Sequence, residues 1–392
     1  MNMPVLEDRT KFVKPSLFSD DPVENLDLSD PFFNSHLITY IGNKRRLAPF
    51  LYRAFLSVRD RVDKDKMTIL DGFVGSGASA RVLKPFANEL HVNDLEDYAE
   101  TINSAYLANY DTEYLQELSR HIVFLNQNKL RAREEPGFIE THYAPKNDID
   151  IKHGERVFYT TQNARIIDNI RDLIETEIPS DFKTPCLASL LIKASIHTNT
   201  SGVFKGFHKK EGVGHFGGRG ENALSRIKAE IELDMPIFSN FHSDVVVHKR
   251  DTNELVCDKS LPKFDLVYYD PPYNQHPYGS NYFMLNIINN GVPAEIQDGV
   301  SGISKEWNKS AYNKRQAAED AMDRLVADTN AHFIVISYNN EGIIPLDSFK
   351  SILSKHGKWE LFEQDYNTYR GSRNLRNRDI KVKEHLWILE KN

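Results

Sequence analysis

The sequence predicts an α/β fold with a mixed, mostly parallel sheet, and repeated strand–helix units are the reason. Residues 67–70 form a short apolar run that leads into a glycine-rich loop and then a helical pattern. Residues 90–94, a second apolar run, are again followed by a helical stretch. Consecutive strand–helix units place their strands in parallel. The apolar runs at 264–269 and 333–338, each followed by loop and helix signals, extend the same sheet.

The remaining segments predict departures from this parallel pattern. Residues 359–362 and 385–389 flank a basic loop without a crossover-helix pattern, so they predict a terminal antiparallel hairpin. Amphipathic helical patterns replace strand patterns in the middle of the chain. We expect three parts: an acidic, loosely ordered arm at 1–35, an α/β domain at 36–110 and 236–392, and an inserted, mainly helical domain at 111–235.

Composition narrows the function classes. Lys and Arg number 49 against 56 Asp and Glu, a formal net charge of −7, so contact with a polyanion requires local basic patches. The two cysteines lack a Cys or His at zinc-ligand spacing, which argues against a disulfide framework and a structural metal site. No leader-like segment and no apolar run of about 20 residues is visible. We expect a cytoplasmic protein with no membrane partner.

A glycine loop follows the first strand and predicts a nucleotide-like ligand. The residues expected to shape or contact that ligand are Asp71, Phe73, Gly75, Ser76 and Gly77. Glycines there let the backbone turn tightly and approach a ligand closely. Asp94 ends the next strand, where an acid can accept hydrogen bonds from ribose hydroxyls. The loop lacks the third glycine of the dinucleotide fingerprint, which argues against NAD, and it lacks the Gly-Lys-Ser/Thr of a P-loop, which excludes that motif. The alternative interpretation is a glycine turn that binds no ligand.

A second motif stands at the end of the strand at 264–269. The residues Asp270, Pro271, Pro272 and Tyr273 follow that strand directly. The prolines end the ladder and leave the Asp270 carboxylate and the Pro271 carbonyl as acceptors at the carboxyl edge of the sheet. Two acceptors beside an aromatic face suit the planar amine of adenine or cytosine. The alternative is a strand terminator with a surface tyrosine.

Together, these motifs resemble the D12 class of adenine-specific DNA methyltransferases, relatives of the Dam enzymes, over most of residues 36–392. The resemblance implies a Rossmann-like S-adenosylmethionine-dependent methyltransferase fold in the family's α arrangement, with 111–235 as the target-recognition domain. The segment from Tyr40 to Lys44 is similar to a family motif whose Tyr and Lys contact the methyl donor, S-adenosyl-L-methionine. By the same resemblance Asp94 would bind the ribose, Asp251 the donor's adenine amine, and Asp270 to Tyr273 would be catalytic.

The DNA would be held by basic patches and by a segment after the catalytic motif. The residues expected to contact it are Lys205, Lys209, Lys210, Arg219, Tyr278, Asn281, Arg370, Arg373 and Arg376. Phe204, Phe207 and Phe216 lie among the first of these and are candidates for contact with bases. The turn at 42–46, which contains Lys44, is expected to be exposed. Each patch alone can equally be a solvated loop.

We therefore expect a site-specific methyltransferase that acts on adenine N6 in double-stranded DNA, with the target base flipped out of the helix. Its expected setting is a prokaryotic restriction-modification system with a cognate restriction endonuclease. Two alternatives stay open at this point. The same tetrapeptide suits N4-cytosine or an RNA base, and the fold suits a catalytically silent module that binds nucleic acid.

Overall fold

The computed structural model describes residues 23–218, 223–291, 299–303, 307–367 and 381–392. The strands of this part of the chain are β1 Met67–Asp71, β2 Ala87–Asp94, β3 Lys209–Lys210, β4 Val213–Gly214, β5 Asp244–Lys249, β6 Phe264–Tyr269, β7 Ala331–Asn339, β8 Gly357–Asn367 and β9 Lys381–Lys391. Seven of them form one sheet in the order β5-β2-β1-β6-β7-β9-β8, and β3 pairs with β4 apart from it. The first five strands of that order are parallel and the last two add antiparallel pairings. The predicted mixed sheet with a terminal hairpin is confirmed.

Helices cover the sheet and form the inserted segment. Their bounds are α1 Pro31–Asn34, α2 Ala48–Val62, α3 Ala78–Leu83, α4 Asp97–Tyr106, α5 Thr112–Asn128, α6 Phe138–Tyr143, α7 Thr161–Glu177, α8 Ser180–Ile196, α9 Leu224–Lys228, α10 Thr252–Leu255, α11 Tyr278–Asn281, α12 Phe283–Asn290, α13 Arg315–Asp328 and α14 Leu346–His356. Short 3₁₀ turns lie at Lys44–Leu47, Lys84–Phe86 and Ala311–Asn313. No helix in the described ranges is both long and apolar enough to cross a bilayer.

The central strand β6 positions the site. All six of its residues are buried, as expected for a strand with covered faces and parallel neighbours on both sides. Its register pairs Leu70 of β1 with Val267 and aligns the two carboxyl ends. The strand ends where the prolines begin, so Asp270 stands at the edge of the sheet beside the loop that follows β1.

The inserted segment shares its core with the main domain. One hydrophobic cluster contains Tyr98 and Ile102 of α4, Leu190 of α8, Leu285 of α12 and side chains of α5 to α7. Burying each large apolar side chain of this kind contributes about 1.5–3 kcal/mol. The segment is mainly helical, and the β3–β4 hairpin is an addition that the sequence did not indicate.

The expected loose arm is wrong for residues 23–35. Phe32 and Phe33 are buried in a core cluster, and the Tyr52 hydroxyl donates to the Val23 carbonyl at 2.7 Å. The Arg81 guanidinium donates to the Phe32 carbonyl at 2.7 Å. These hydrogen bonds, together with the apolar surface that Phe32 and Phe33 bury, attach residues 23–35 to α2 and α3. The rest of the predicted arm, 1–22, lies outside the described residues.

Candidate active site

The loops after β1, β2 and β6 enclose a cleft of about 740 Å³, its open mouth included. The position agrees with the rule that open α/β sheets bind ligands at the carboxyl ends of their strands. The predicted site residues that line it are Tyr40, Lys44, Phe73, Gly75, Ser76, Asp94, Asp270, Pro272 and Tyr278. The cleft therefore brings together residues that are far apart in the sequence.

The glycine loop is held against Asp94. The Gly75 N–H donates to Asp94 Oδ2 at 2.8 Å, and the Glu96 N–H donates to Oδ1 at 3.0 Å. Burial raises the pKa of Asp94, and these backbone N–H groups oppose that rise. Gly75 has φ of +50°, a conformation in which glycine is favoured. Asp94 thus fixes the loop that it faces and keeps further lone pairs toward the cleft.

Two predicted binding residues lie beneath the loop and do not line the cleft. Asp71 is fully buried, and its carboxylate accepts hydrogen bonds from the Ser79 hydroxyl at 2.5 Å and the Phe73 N–H at 3.3 Å. Burial raises its pKa to about 7. Gly77 has φ of +79° and begins α3, where a Cβ would stand 2.4 Å from Asn103 Oδ1. Both residues shape the loop from below.

The segment before α2 forms the opposite wall. The Tyr40 ring packs against the rings of Tyr278 and Tyr282, with ring centroids 4.9 Å away in each case, and those two rings lie 5.9 Å from each other. The Tyr278 hydroxyl donates to the Ile41 carbonyl at 2.9 Å, and Asn43 Nδ2 donates to Ser76 Oγ at 3.2 Å. This wall is therefore bonded to both the glycine loop and α11.

Lys44 joins this wall to the tetrapeptide at 270–273 that follows β6. Its Nζ lies 2.9 Å from Asp270 Oδ1 and 2.9 Å from Glu384 Oε1. The side chain is 4% exposed, so the prediction of an exposed turn is wrong at Lys44. Burial opposes its charge, but the two carboxylates outweigh burial and raise the pKa of Lys44 well above the usual value. Lys44 is a buried cation and is not available to phosphates.

Asp270 is a partly exposed carboxylate with a perturbed pKa. Burial raises the pKa to about 6, Lys44 lowers it, and the charge of Glu384 raises it. Tyr273 lies beside this pair, with Lys44 Nζ 5.3 Å from its ring centroid and Tyr338 edge-on at 5.7 Å. Gly42, with φ of +76°, passes so close that a Cβ would stand 2.9 Å from the Tyr273 hydroxyl. Pro271 is buried under the same turn.

Several cleft residues were missed by the motif analysis. Glu96, Thr252, Asn308, Ser310 and Asn313 line the cleft. Glu96 is buried beside Asp94. Burial, and after it the negative charge of Asp94, raises the pKa of Glu96 to about 8. Its position two residues after Asp94 is the only signal that pointed to it. Asp251 does not line the cleft; its carboxylate caps α10 by accepting from the Asn253 N–H at 2.9 Å.

The expected DNA contacts divide into three groups. Lys205, Lys209 and Lys210 are exposed, the last two on β3. Arg219, Arg370, Arg373 and Arg376 lie outside the described residues. Asn281 is buried, and Tyr278 belongs to the cleft wall.

The proposed base contact by aromatic rings is wrong for Phe204 and Phe216. Both are buried, in two different hydrophobic clusters. Phe207 is half-buried, packs edge-on against Phe158 and carries Lys209 over its ring. The apolar rings among these lysines therefore pack inward and anchor the segment, Phe204 to the large shared cluster and Phe216 to a smaller one.

A cleft at the carboxyl ends of the strands, with a glycine loop on one side and the Asp270 carboxylate on the other, is the arrangement expected of an enzyme that binds a nucleotide-like ligand. The described residues contain no group of three or more His, Cys, Asp or Glu side chains that could hold a metal ion. Residues 40–352 match the family model of the D12 class N6 adenine-specific DNA methyltransferases. The chain belongs to this family, and it is a DNA adenine methyltransferase.

Curated relatives, two of them of similar length, support the assignment. The chain is 29% identical over 371 residues to the type II methyltransferase M.NlaIII of Neisseria lactamica, covering 90% of this chain and 99% of that protein. It is 28% identical over 356 residues to the type II methyltransferase M.CviAII of Paramecium bursaria Chlorella virus 1, covering 90% and 98%. It is also 30% identical over 359 residues to the modification methylase StsI of Streptococcus sanguinis, covering 87% of this chain and 50% of that protein. Family membership decides for adenine N6 over N4-cytosine.

Proposed function

We propose that the protein transfers a methyl group from S-adenosyl-L-methionine to N6 of an adenine flipped out of double-stranded DNA. The observation that carries this proposal is the Asp270 carboxylate, which stands at the end of the donor cleft with one oxygen paired to Lys44. Tyr273, whose ring centroid lies 5.3 Å from Lys44 Nζ, is the aromatic face proposed to hold the base beside this carboxylate.

The cleft fits the donor by its shape and its polar groups. Glycine at position 75 lets the loop backbone lie close to a ligand, and a Cβ there would approach Tyr40 Cε1 to 2.8 Å. Asp94 and Glu96 offer carboxyl oxygens to two ribose hydroxyls, and Phe73 gives an apolar surface. When bound, S-adenosyl-L-methionine supplies a methyl group on a positively charged sulfur, which is open to attack by a nitrogen lone pair. Asp71, Gly77 and Asp251 would act through the loops that they hold.

The tetrapeptide prepares the amine for that attack. The Asp270 carboxylate and the Pro271 carbonyl accept the two N–H groups of the amine, while Tyr273 stacks on the base. Accepting both hydrogens localises the nitrogen lone pair that the ring otherwise withdraws. The N–CH₃ bond forms as the S–CH₃ bond breaks, and the surplus N–H proton passes to Asp270. A carboxyl group with a pKa of about 6 is mostly ionised above neutral pH and can still accept this proton.

The target must leave the helix to reach this position. A stacked adenine cannot approach the cleft, and unstacking costs a few kcal/mol, which Tyr273 stacking and phosphate contacts offset. Lys205, Lys209 and Lys210 are the exposed cations proposed to grip the backbone. The β3–β4 hairpin turns at Glu211 and Gly212, both with positive φ, so the two lysines on β3 lie directly before a tight two-residue turn.

We further propose that the methylation protects DNA against a cognate restriction endonuclease. Two relatives that match over nearly their whole length are named type II methyltransferases, and a third is named a modification methylase. The endonuclease would be encoded beside this protein and would cut the same sequence when it is unmethylated.

An in vitro transfer assay tests the reaction. Purified protein is mixed with S-adenosyl-L-methionine carrying a deuterated methyl group and with duplex DNA of mixed sequence, and the nucleosides are analysed by mass spectrometry. Deuterated N6-methyldeoxyadenosine is expected with the wild type and absent with Asp270→Ala. Label in N4-methylcytosine, or in RNA but not DNA, would instead support the corresponding alternative. Donor binding without any transfer would support the silent module.

A further inference from the structure

The buried ammonium group of Lys44 forms ion pairs with two carboxylates next to the cleft. Lys44 Nζ lies 2.9 Å from Asp270 Oδ1 and 2.9 Å from Glu384 Oε1. The three groups come from three places in the chain: a 3₁₀ turn, the end of β6 and the strand β9. Glu384 belongs to none of the motifs that indicated the site.

Glu384 is held firmly in place. The Ser337 hydroxyl donates to Glu384 Oε1 at 2.6 Å, and both side chains are almost completely buried. The neighbouring backbone is also fixed, because the Asn340 N–H donates to the Lys383 carbonyl and the Lys383 N–H donates to Asn340 Oδ1. The strand pairing of β7 with β9 therefore determines where this carboxylate stands.

The charges of this cluster do not cancel. One ammonium faces two carboxylates, so the ionised cluster carries one surplus negative charge in a largely desolvated site. A buried charge without a full partner is costly, and Glu384 is not among the residues that line the cleft. Such a group is expected to act on its neighbours through its field.

We propose that Glu384 is a positioning residue for methyl transfer, which draws Lys44 partly away from Asp270 and so leaves Asp270 a strong acceptor for the adenine amine. Lys44 engages Asp270 at Oδ1, which leaves Oδ2 to accept from the amine. Without the charge of Glu384, Lys44 would neutralise Asp270 alone. The carboxylate would then accept the amine hydrogen less strongly. The inference rests on the function proposed above.

The surroundings of Asp270 support this role. The groups that face it are Lys44, Glu384, Asp71, Tyr268, Tyr273 and Tyr278. Burial is the main cause that raises the pKa values of Tyr268 and Tyr278 well above the usual value, so both are neutral near pH 7. Asp71, with a pKa raised by burial to about 7, carries only part of a charge there. His385, next to Glu384, has a pKa lowered mainly by burial. Lys44 and Glu384 are therefore the dominant charges on Asp270.

The first test measures Asp270 directly and needs no activity. Protein labelled with ¹³C at the aspartate carboxyl carbon is titrated by NMR without ligand, and the Asp270 resonance is assigned by its loss in Asp270→Asn. In Glu384→Gln the pKa of Asp270 is expected to fall from about 6 toward its ordinary value of 3.8. Glu384→Met, a neutral residue of similar volume, must move it in the same direction. Glu363→Gln, on the neighbouring strand and paired with Lys383 and His385, is the matched control and must leave it unchanged.

The second test separates positioning from structural support. Glu384→Gln is expected to lower kcat about tenfold or more and to shift the acidic limb of its pH profile downward, with donor affinity within about twofold of the wild type. Glu384→Asp retains the charge and is expected to recover part of kcat. An unmoved Asp270 pKa in both neutral variants would overturn the inference. A wild-type protein that fails to methylate DNA would overturn the proposed function instead, while the NMR titration still decides the role of Glu384.

Discussion

The ring of Tyr40 lies directly against the backbone of Gly75, so closely that a Cβ on Gly75 would stand 2.8 Å from Tyr40 Cε1 and 3.0 Å from the Tyr40 hydroxyl. Real Cβ atoms essentially never approach a neighbour to 2.8 Å. The contact joins the donor loop to the wall that Tyr40 forms with Tyr278 and Tyr282. The donor loop can therefore lie against Tyr40 only because residue 75 has no Cβ.

Gly75→Ala is expected to weaken donor binding by about tenfold or more. The new methyl group must displace Tyr40 or the loop, and alanine at φ of +50° adds about 1 kcal/mol of backbone strain. Isothermal titration calorimetry with S-adenosyl-L-methionine measures the effect. Gly206→Ala is the control, because its Cβ meets no atom within 4 Å. Equal affinity in the Gly75 variant and the control would show that the loop tolerates the carbon.

Asp270→Asn is expected to make the folded protein more stable at high pH while abolishing activity. The folded-state pKa of about 6 lies above the ordinary 3.8, so this carboxyl group favours folding in its protonated form. Its contribution is complete below about pH 4 and is lost as the pH rises to about 6 and beyond. Asparagine resembles the protonated group. We expect a gain of roughly 2 kcal/mol at pH 8 and almost none at pH 4.

Urea unfolding of both proteins at the two pH values measures this difference. Asp97→Asn is a useful comparison, because hydrogen bonds from Lys249 and Asn290 outweigh burial and lower the pKa of Asp97. Its removal is expected to destabilise the protein at pH 8. An Asp270→Asn protein that is less stable at pH 8 than at pH 4, relative to the wild type, would contradict the assigned environment.

The pH dependence of the reaction is expected to show an acidic limb near pH 6. Asp270 accepts the amine hydrogen only as a carboxylate, and burial raises its pKa to about 6 against the opposing charge of Lys44. We therefore expect kcat/KM for DNA, at saturating donor, to fall tenfold for each pH unit below that value. Initial rates between pH 5 and pH 9 measure the limb. A limb near pH 4, the ordinary range of an aspartate, would contradict the raised pKa of Asp270.

Lys209→Ala is expected to weaken binding to duplex DNA of every sequence. The side chain is exposed on the β3–β4 hairpin, and removing one cation that binds a phosphate there should reduce the slope of log affinity against log salt by about 0.9. Lys259→Ala is the control, because Lys259 is exposed just before β6, at the opposite edge of the sheet from the cleft. Fluorescence anisotropy at several salt concentrations reports both quantities. An unchanged slope would place the DNA elsewhere.

The sequence was informative where the chain obeys local rules. The predicted strand at 264–269 coincides with β6, because the apolar run favours a buried strand and the two prolines that follow it cannot continue the strand pairing. Gly75 and Asp94 were predicted together, and their hydrogen bond is present, since a strand, a tight loop and a strand-end acid are encoded within a short stretch. The predicted terminal hairpin also agrees with β8 and β9.

Contacts between residues that are far apart in the sequence were not predicted, because local patterns carry no information about them. Lys44 looked like part of an exposed basic turn, and its burial depends on two acids that are far away in the sequence. Glu384 reaches the site only through the register of β7 with β9. The only sequence feature that could have indicated Glu384 is its position directly before the apolar run at 385–389. Phe204 and Phe216 were assigned to DNA because basic residues and glycines surround them in the sequence, but an aromatic residue among polar neighbours can equally be the one that packs inward, as both do.

Adenine methylation through Asp270 can be tested in cells by single-molecule sequencing of DNA from a methylation-free host. The host expresses either the wild type or Asp270→Ala, and both proteins are checked for equal abundance and folding. We expect N6-methyladenine in one short sequence motif with the wild type and none with the variant. N4-methylcytosine, or the absence of any modified base with the wild type, would contradict the proposed reaction.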